Sequence, residues 1–267
     1  MASKRIALAG AGNVATALGV ALSSAGVAPV AVWSRTLRSA EILSERIACP
    51  ACKTLSELPS PDVIIVSVAD SAIKDVAAAA AAAFPDALIL HTAGSVPMDI
   101  LREAGAQKYG VLYPMQTFSR QREADFTPVT VFVEGCDKAC EERAADIARL
   151  LGGKVQQATS EQRKYLHIAA VFACNFANAA YTMASELLEE HNMPFEAMLP
   201  LIDETAAKVH RLHPRDAQTG PAHRGDCVVT DAHKAMLDGR LKSLYTEISD
   251  YIADVKRRKS DKEKETK

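Results

Sequence analysis

Residues 8–15 read LAGAGNVA, closing the apolar run RIALAG (5–10) and opening into NVATALGVALSSAG (13–26). Gly10-Ala11-Gly12-Asn13-Val14-Ala15 fits G-x-G-x-x-[G/A], a pattern that a plain tight corner between strand and helix also produces. Its surroundings separate the two readings. The motif follows the first expected strand, opens the first expected helix, and lies inside a unit of about 30 residues whose second strand, PVAVWS (29–34), ends at Ser34. In such a unit Gly10 makes the turn, Gly12 lets backbone come up against phosphate, and small Ala15 brings the helix close to the sheet. The free amides that begin helix 13–26 would then carry the anion, with Gly10, Gly12, Asn13 and Val14 around it. The stretch therefore predicts a dinucleotide-binding turn.

The dinucleotide is chosen at the end of the second strand. An acid there would accept from the ribose hydroxyls and repel a 2′-phosphate. This chain instead has Ser34-Arg35-Thr36 and no acid before Glu41. Two hydroxyls and a guanidinium suit a phosphate dianion, so the expected cofactor is NADP(H).

Outward from this unit, apolar runs alternate with helical patterns as far as residue 157. Strands are expected at 62–68, 87–90, 109–113, 129–133 and 154–157, and helices near 37–47, 71–84 and 137–151. Beyond Ala158 the period is helical only. Thr159 and Gln162 form a capping box, and the pattern runs to about residue 191 without Pro or Gly. Further helices are expected near 195–211, 228–238 and 240–257, then a frayed, solvated tail, KRRKSDKEKETK. The fold class expected is α/β, with a doubly wound parallel sheet over residues 1–157 and an all-helical domain for substrate and dimerisation over 158–267.

Bulk properties narrow the partners. The 267 residues carry a formal net charge of −2, and their Lys and Arg are not clustered as a nucleic acid or anionic membrane would require. No run of about 18 apolar residues suggests a membrane span, and the N-terminal apolar run is too short for a signal peptide, so a cytoplasmic location is expected. Cys49 and Cys52 make half of a structural zinc site at most, and Cys136 and Cys140 stand four apart; packing roles are expected and no metal.

Open parallel sheets bind ligands beyond the carboxyl ends of their strands. Three segments qualify. Val68-Ala69 would run under the nicotinamide half, and Asp70 is expected to cap the helix that follows. His91, where strand 87–90 ends, either donates a proton to a carbonyl or orients its loop. Tyr113-Pro114-Met115-Gln116-Thr117 closes the 109–113 strand, and Gln116 is expected to touch substrate.

HTAG (91–94), YPMQTF (113–118), LHIAAVFACNFAN (166–178) and QTGPAHRGD (218–226), with His233 following, occur in order along the chain. Together they resemble a bacterial family with a Rossmann-like N-terminal half and a helical C-terminal half of unknown function. That family is similar to deazaflavin-dependent NADP oxidoreductases, and more distantly to pyrroline-5-carboxylate reductase and 6-phosphogluconate dehydrogenase. The resemblance implies a Rossmann domain, a helical second domain, NADP binding and a homodimer; it implies no substrate. In the β-hydroxyacid dehydrogenase relatives a Lys lies four residues before an Asn on the long helix. Here Asn175 matches the Asn, but position 171 is Val. His167 or His91 would have to replace the missing acid. On an ideal helix His167 and Asn175 diverge by about 80°. Arg224 could clamp a substrate carboxylate or phosphate, or pair with Asp226. The expected function is hydride transfer between NADP(H) and a small polar carbonyl, imine or flavin-like acceptor; the alternative is a non-catalytic NADP(H)-binding sensor or scaffold.

Overall fold

The computed structural model describes residues 5–265. Strand β1 (Ile6–Ala9), helix α1 (Asn13–Ser24), β2 (Ala31–Trp33) and α2 (Leu37–Ile47) lead to a two-residue strand, β3 (Ala51–Cys52). Next come β4 (Val63–Val66), α3 (Ile73–Ala83), β5 (Leu88–His91), a short α4 (Asp99–Glu103) and β6 (Lys108–Pro114). β7 (Thr130–Gly135), α5 (Lys138–Leu150) and β8 (Lys154–Gln157) complete one sheet in the order β3-β2-β1-β4-β5-β6-β7-β8. The chain winds outward from β1 in both directions, so strand order reverses between β1 and β4, where open sheets bind ligands.

Alternation along the strands decides which face each side chain supplies. Ile6, Leu8, Val63, Ile65, Leu88 and Leu90 enter the core beneath α1, α2 and α5. Ala7, Ala9, Ile64, Val66 and Ile89 enter the opposite core beneath α3 and α4. The alanine run belongs to that second core: Ala77, Ala80 and Ala81 recur at helical spacing and are buried.

The sheet departs from the expected parallel order at one strand: β7 is antiparallel to β6. The connection 115–129 contains no helix to carry the chain back across the sheet, and only such a crossover would have made the pair parallel. β3, within CPAC, and α4 were both too short for periodicity to reveal.

The chain divides into two compact units, Met1–Phe176 and Ala177–Lys267. The long helical pattern is realised as α6 (Ser160–Ala170), a π-helical segment (Val171–Phe176) and α7 (Ala177–Glu190), ended by Asn192 in the left-handed conformation. Thr159 and Gln162 form the expected capping box. The remaining helices are α8 (Leu199–Val209), α9 (Pro214–Ala217), α10 (Pro221–Arg224), α11 (Cys227–Met236) and α12 (Gly239–Glu265). α12 overturns the expected frayed tail: Lys and Glu are good helix formers, and Arg257 pairs with Asp254 one turn back. Residues 266–267 lie outside the described residues.

Candidate active site

The glycine turn is fixed by two constraints. Gly10 has φ 126°, donates its N–H to the Trp33 carbonyl at 2.7 Å, and lies so close to β4 that a Cβ would fall 2.0 Å from the Ser67 carbonyl oxygen. No other residue fits there. Gly12 is different: its φ of −80° and ψ of −171° suit any residue, and a Cβ would meet nothing within 4 Å. The protein leaves that space open. It opens at the start of α1, which has no acid in its first turn and no side chain capping its amides. Unsatisfied N–H groups, the positive end of a helix and room that one methyl would enter together fit a diphosphate. Asn13 is exposed beside it and Val14 is half-buried; Val68 flanks Gly10 and Ala69 is exposed next to it.

At the end of β2, Ser34 is half-buried, while Arg35 and Thr36 are exposed. Arg35 has no carboxylate partner among the described residues, and the Thr36 hydroxyl donates to Ser39 at 2.7 Å. A free guanidinium among hydroxyls suits an adenosine 2′-phosphate.

From the glycine turn a line of contacts crosses the carboxyl ends of the strands. The Thr92 hydroxyl donates to Ser67 at 3.2 Å, joining the loops after β5 and β4. The Ser95 hydroxyl donates to the Asp70 carboxylate at 2.8 Å. This corrects the expected cap. Asp70 begins a 3₁₀ turn (Asp70–Ala72) instead of preceding α3, so its carboxylate meets the neighbouring loop rather than the helix amides.

Farther along the edge, Gly94, Tyr113 and His167 converge. The Tyr113 hydroxyl lies 3.3 Å from His167 Nδ1, and a Cβ on Gly94 would come within 2.8 Å of the tyrosine ring and 2.9 Å of that nitrogen. Three of the ordered motifs thus meet at one point. Burial pushes the Tyr113 phenol up, offset in part by the nearby Arg163 cation.

Arg163 lies one turn before His167 on α6, on the same helix face. Its guanidinium is fully buried, pairs with Glu134 of β7 and donates to the Val96 carbonyl at 2.7 Å. Glu134 also accepts from the Ser160 amide at 2.9 Å and hydroxyl at 2.8 Å, so α6 is fastened to the sheet through its first turn.

His91 is elsewhere. Strand alternation places it on the same face as Ile89, and it is fully buried. Nδ1 accepts the Ala93 amide at 3.2 Å. Burial first, and then the Arg163 charge, hold its pKa down to about 3, so it carries no acidic proton near neutrality. This geometry corrects the expected proton donor: His91 orients the loop that carries Gly94.

Asn175 is exposed within the π-helical segment, whose wider turns invalidate the 80° offset from His167 expected for an ideal helix. Gln116 accepts the Thr117 amide at 2.9 Å, a contact within its own turn. In the second unit Arg224 is exposed, Asp226 caps α11 through the Val229 amide, and His233 meets the Tyr245 hydroxyl at 2.8 Å. Arg224 therefore does not pair with Asp226.

Sequence reasoning missed Tyr113, Gly94 and the Arg163–Glu134 pair as functional parts. The first two lie inside quoted motifs at strand ends and could have been found there; nothing in the sequence marks Glu134 as the partner of a residue 29 positions away. Cys136, Asp137 and Cys140 lie within 4.8 Å of one another, Asp137 caps α5, and burial above all pushes the Cys140 thiol up to about 12. Burial likewise pushes Cys49 up to about 11, with Cys52 adding to it.

A mostly parallel, doubly wound sheet with an open glycine turn at its reversal point, followed by helices, defines a Rossmann-type dinucleotide-binding protein. Residues 5–94 match the family described as NADP oxidoreductase, coenzyme F420-dependent, and residues 129–252 match a domain of unknown function, DUF2520. A solved structure described as a "putative NADP oxidoreductase" from Bacteroides fragilis is 44% identical, with 94% of this chain and 98% of that chain covered and a TM-score of 0.88. The chain belongs to this family of NADP oxidoreductases. A Thermotoga maritima protein (23% identity, 96% of this chain and 99% of that one, TM-score 0.72) and a Coxiella burnetii pyrroline-5-carboxylate reductase (17%, 96% and 98%, 0.61) share the fold. No curated protein matches the chain. Among the described residues no helix is long and apolar enough to cross a membrane.

Proposed function

We propose that this NADP-dependent oxidoreductase acts on a small polar carbonyl or imine, with Tyr113 as proton donor and His167 as its proton source. The observation that carries the reading is the Tyr113–His167 hydrogen bond, held against a glycine that admits no side chain, at the carboxyl edge of the sheet. When bound, the nicotinamide supplies or accepts the hydride. A carbonyl oxygen or imine nitrogen concentrates the developing negative charge on one atom, unlike a delocalised flavin-like ring, and so gains most from a positioned donor.

A tyrosine phenol holds its proton at neutral pH, and burial pushes the Tyr113 phenol further up. On giving it up, the phenolate would be stabilised by the Arg163 charge and reprotonated through His167 Nδ1. This pair takes the part of the Lys absent at Val171. Gln116 and Asn175 are proposed for the polar groups of the acceptor. The diphosphate would rest on Gly12, Asn13 and Val14, the 2′-phosphate on Ser34, Arg35 and Thr36, and Val68 and Ala69 would pass under the nicotinamide half. In this reading residues up to about 157 form the dinucleotide-binding domain, with Tyr113 and Gln116 facing the acceptor from its carboxyl edge, and the helical remainder serves the substrate and a homodimer. The exposed apolar side chains Leu201, Val228, Met236 and Tyr251 support self-association.

Tyr113→Phe tests the proposal. With NADPH and a panel of small aldehydes, ketones and cyclic imines, kcat should fall about 10²-fold while NADPH affinity and Tm stay near wild type. His167→Ala should also shift the pH profile of kcat. An unchanged kcat in Tyr113→Phe would remove the tyrosine from the reaction.

A further inference from the structure

One cation at the glycine turn is not accounted for by the first two strands. The connection between β6 and β7, residues 115–129, leaves from the carboxyl end of the parallel strands, the edge on which the glycine turn lies. Phe118 and Ala124 pin it to the core under α1 and α2, and Phe118 stacks on Phe126 with ring centroids 5.5 Å apart. From there Arg120 donates from Nη2 to the Ala11 carbonyl at 2.8 Å, while Arg46 of α2 donates to the Arg120 carbonyl at 2.7 Å. β6 lies three strands from β1, roughly 14 Å at ordinary strand spacing, so a long connection is spent on bringing this side chain back to the turn.

The placement is electrostatically costly as it stands. Arg120 sits at the positive end of α1, whose first turn has no acid, and it has no carboxylate partner among the described residues. A cation beside free helix amides is relieved by an anion. The open space over the adjacent Gly12 is where one fits.

We infer that Arg120 is a ligand for the diphosphate of the dinucleotide, brought to it by a connection that starts three strands away along the sheet. The inference rests on the reading of the glycine turn as the NADP(H) seat. It names the diphosphate, not the 2′-phosphate, because the contact is to Ala11 inside the turn, whereas Arg35 stands at the end of β2.

Calorimetric titration of the full chain with NADPH and with NADH, which lacks the 2′-phosphate, tests it. Arg120→Ala should weaken both nucleotides by the same factor, roughly tenfold. Arg120→Lys should recover part of the loss, and Arg35→Ala should weaken NADPH alone. Should Arg120→Ala fail to fold, Arg120→Gln gives the same readout, since it can still donate to Ala11 but carries no charge. Unchanged affinity for both nucleotides, or a loss confined to NADPH, overturns the role of Arg120 while leaving the cofactor reading intact. A wild-type protein that binds neither nucleotide overturns both.

Discussion

Gly10→Ala is expected to destabilise the protein by about 3–5 kcal/mol, the sum of a left-handed backbone forced on a residue with a side chain and a clash with a neighbouring strand. The reason is positional. The new methyl would lie 2.0 Å from the Ser67 carbonyl oxygen, a backbone atom of a buried residue just past the end of β4 whose N–H is tied to Ala9, and φ is 126°. Thermal unfolding should show Tm lowered by roughly 10 °C. Gly12→Ala makes the informative contrast. Its backbone is extended and its added methyl meets nothing, so Tm should stay close to wild type, yet NADPH affinity should drop because the methyl occupies the space kept for the diphosphate. A stable Gly10→Ala protein, or a Gly12→Ala protein that binds NADPH as wild type does, would contradict the division of labour drawn between the two glycines.

Arg163→Met is expected to cost about 3 kcal/mol, near the lower end for breaking a buried ion pair because the Glu134 side chain keeps 17% of its exposure. The loss has two parts. Glu134 is left without its cation, and the Val96 carbonyl loses a donor in the loop that carries Gly94. Because Arg163 and His167 lie one turn apart on α6, kcat should fall as well, through a displaced His167 rather than a missing reactant. Arg163→Met combined with Glu134→Leu should lose less stability than Arg163→Met alone, since the unpaired carboxylate is then gone. Denaturant unfolding of the single and double variants measures this. A double-variant loss equal to the sum of the Arg163→Met and Glu134→Leu losses would mean that the pair is not coupled.

The first half of the fold was legible because its strands and helices follow plain periodicities, and because GAGNVA, set between the first strand and the first helix, marks the dinucleotide-binding turn. What escaped was of two kinds. β3 and α4 are too short to show a period, and the antiparallel turn at β7 depends on a connection without a helix, which composition does not announce. In the site, the residues proposed for the cofactor follow from motifs local in sequence. The Tyr113–His167 pair and the Arg163–Glu134 pair link residues 54 and 29 positions apart, and only the assembled sheet and α6 bring them together. His91 shows the limit of arguing from strand ends: the position was right, but alternation sends its ring into the core instead of the cleft.

The account rests on a glycine turn that holds a diphosphate and a strand end that adds a 2′-phosphate contact. Titrating the wild-type protein with NADPH and NADH in parallel tests it most directly. NADPH should bind at least about tenfold more tightly than NADH, the margin of one charge-assisted phosphate contact; equal affinities, or no binding of either, would contradict it.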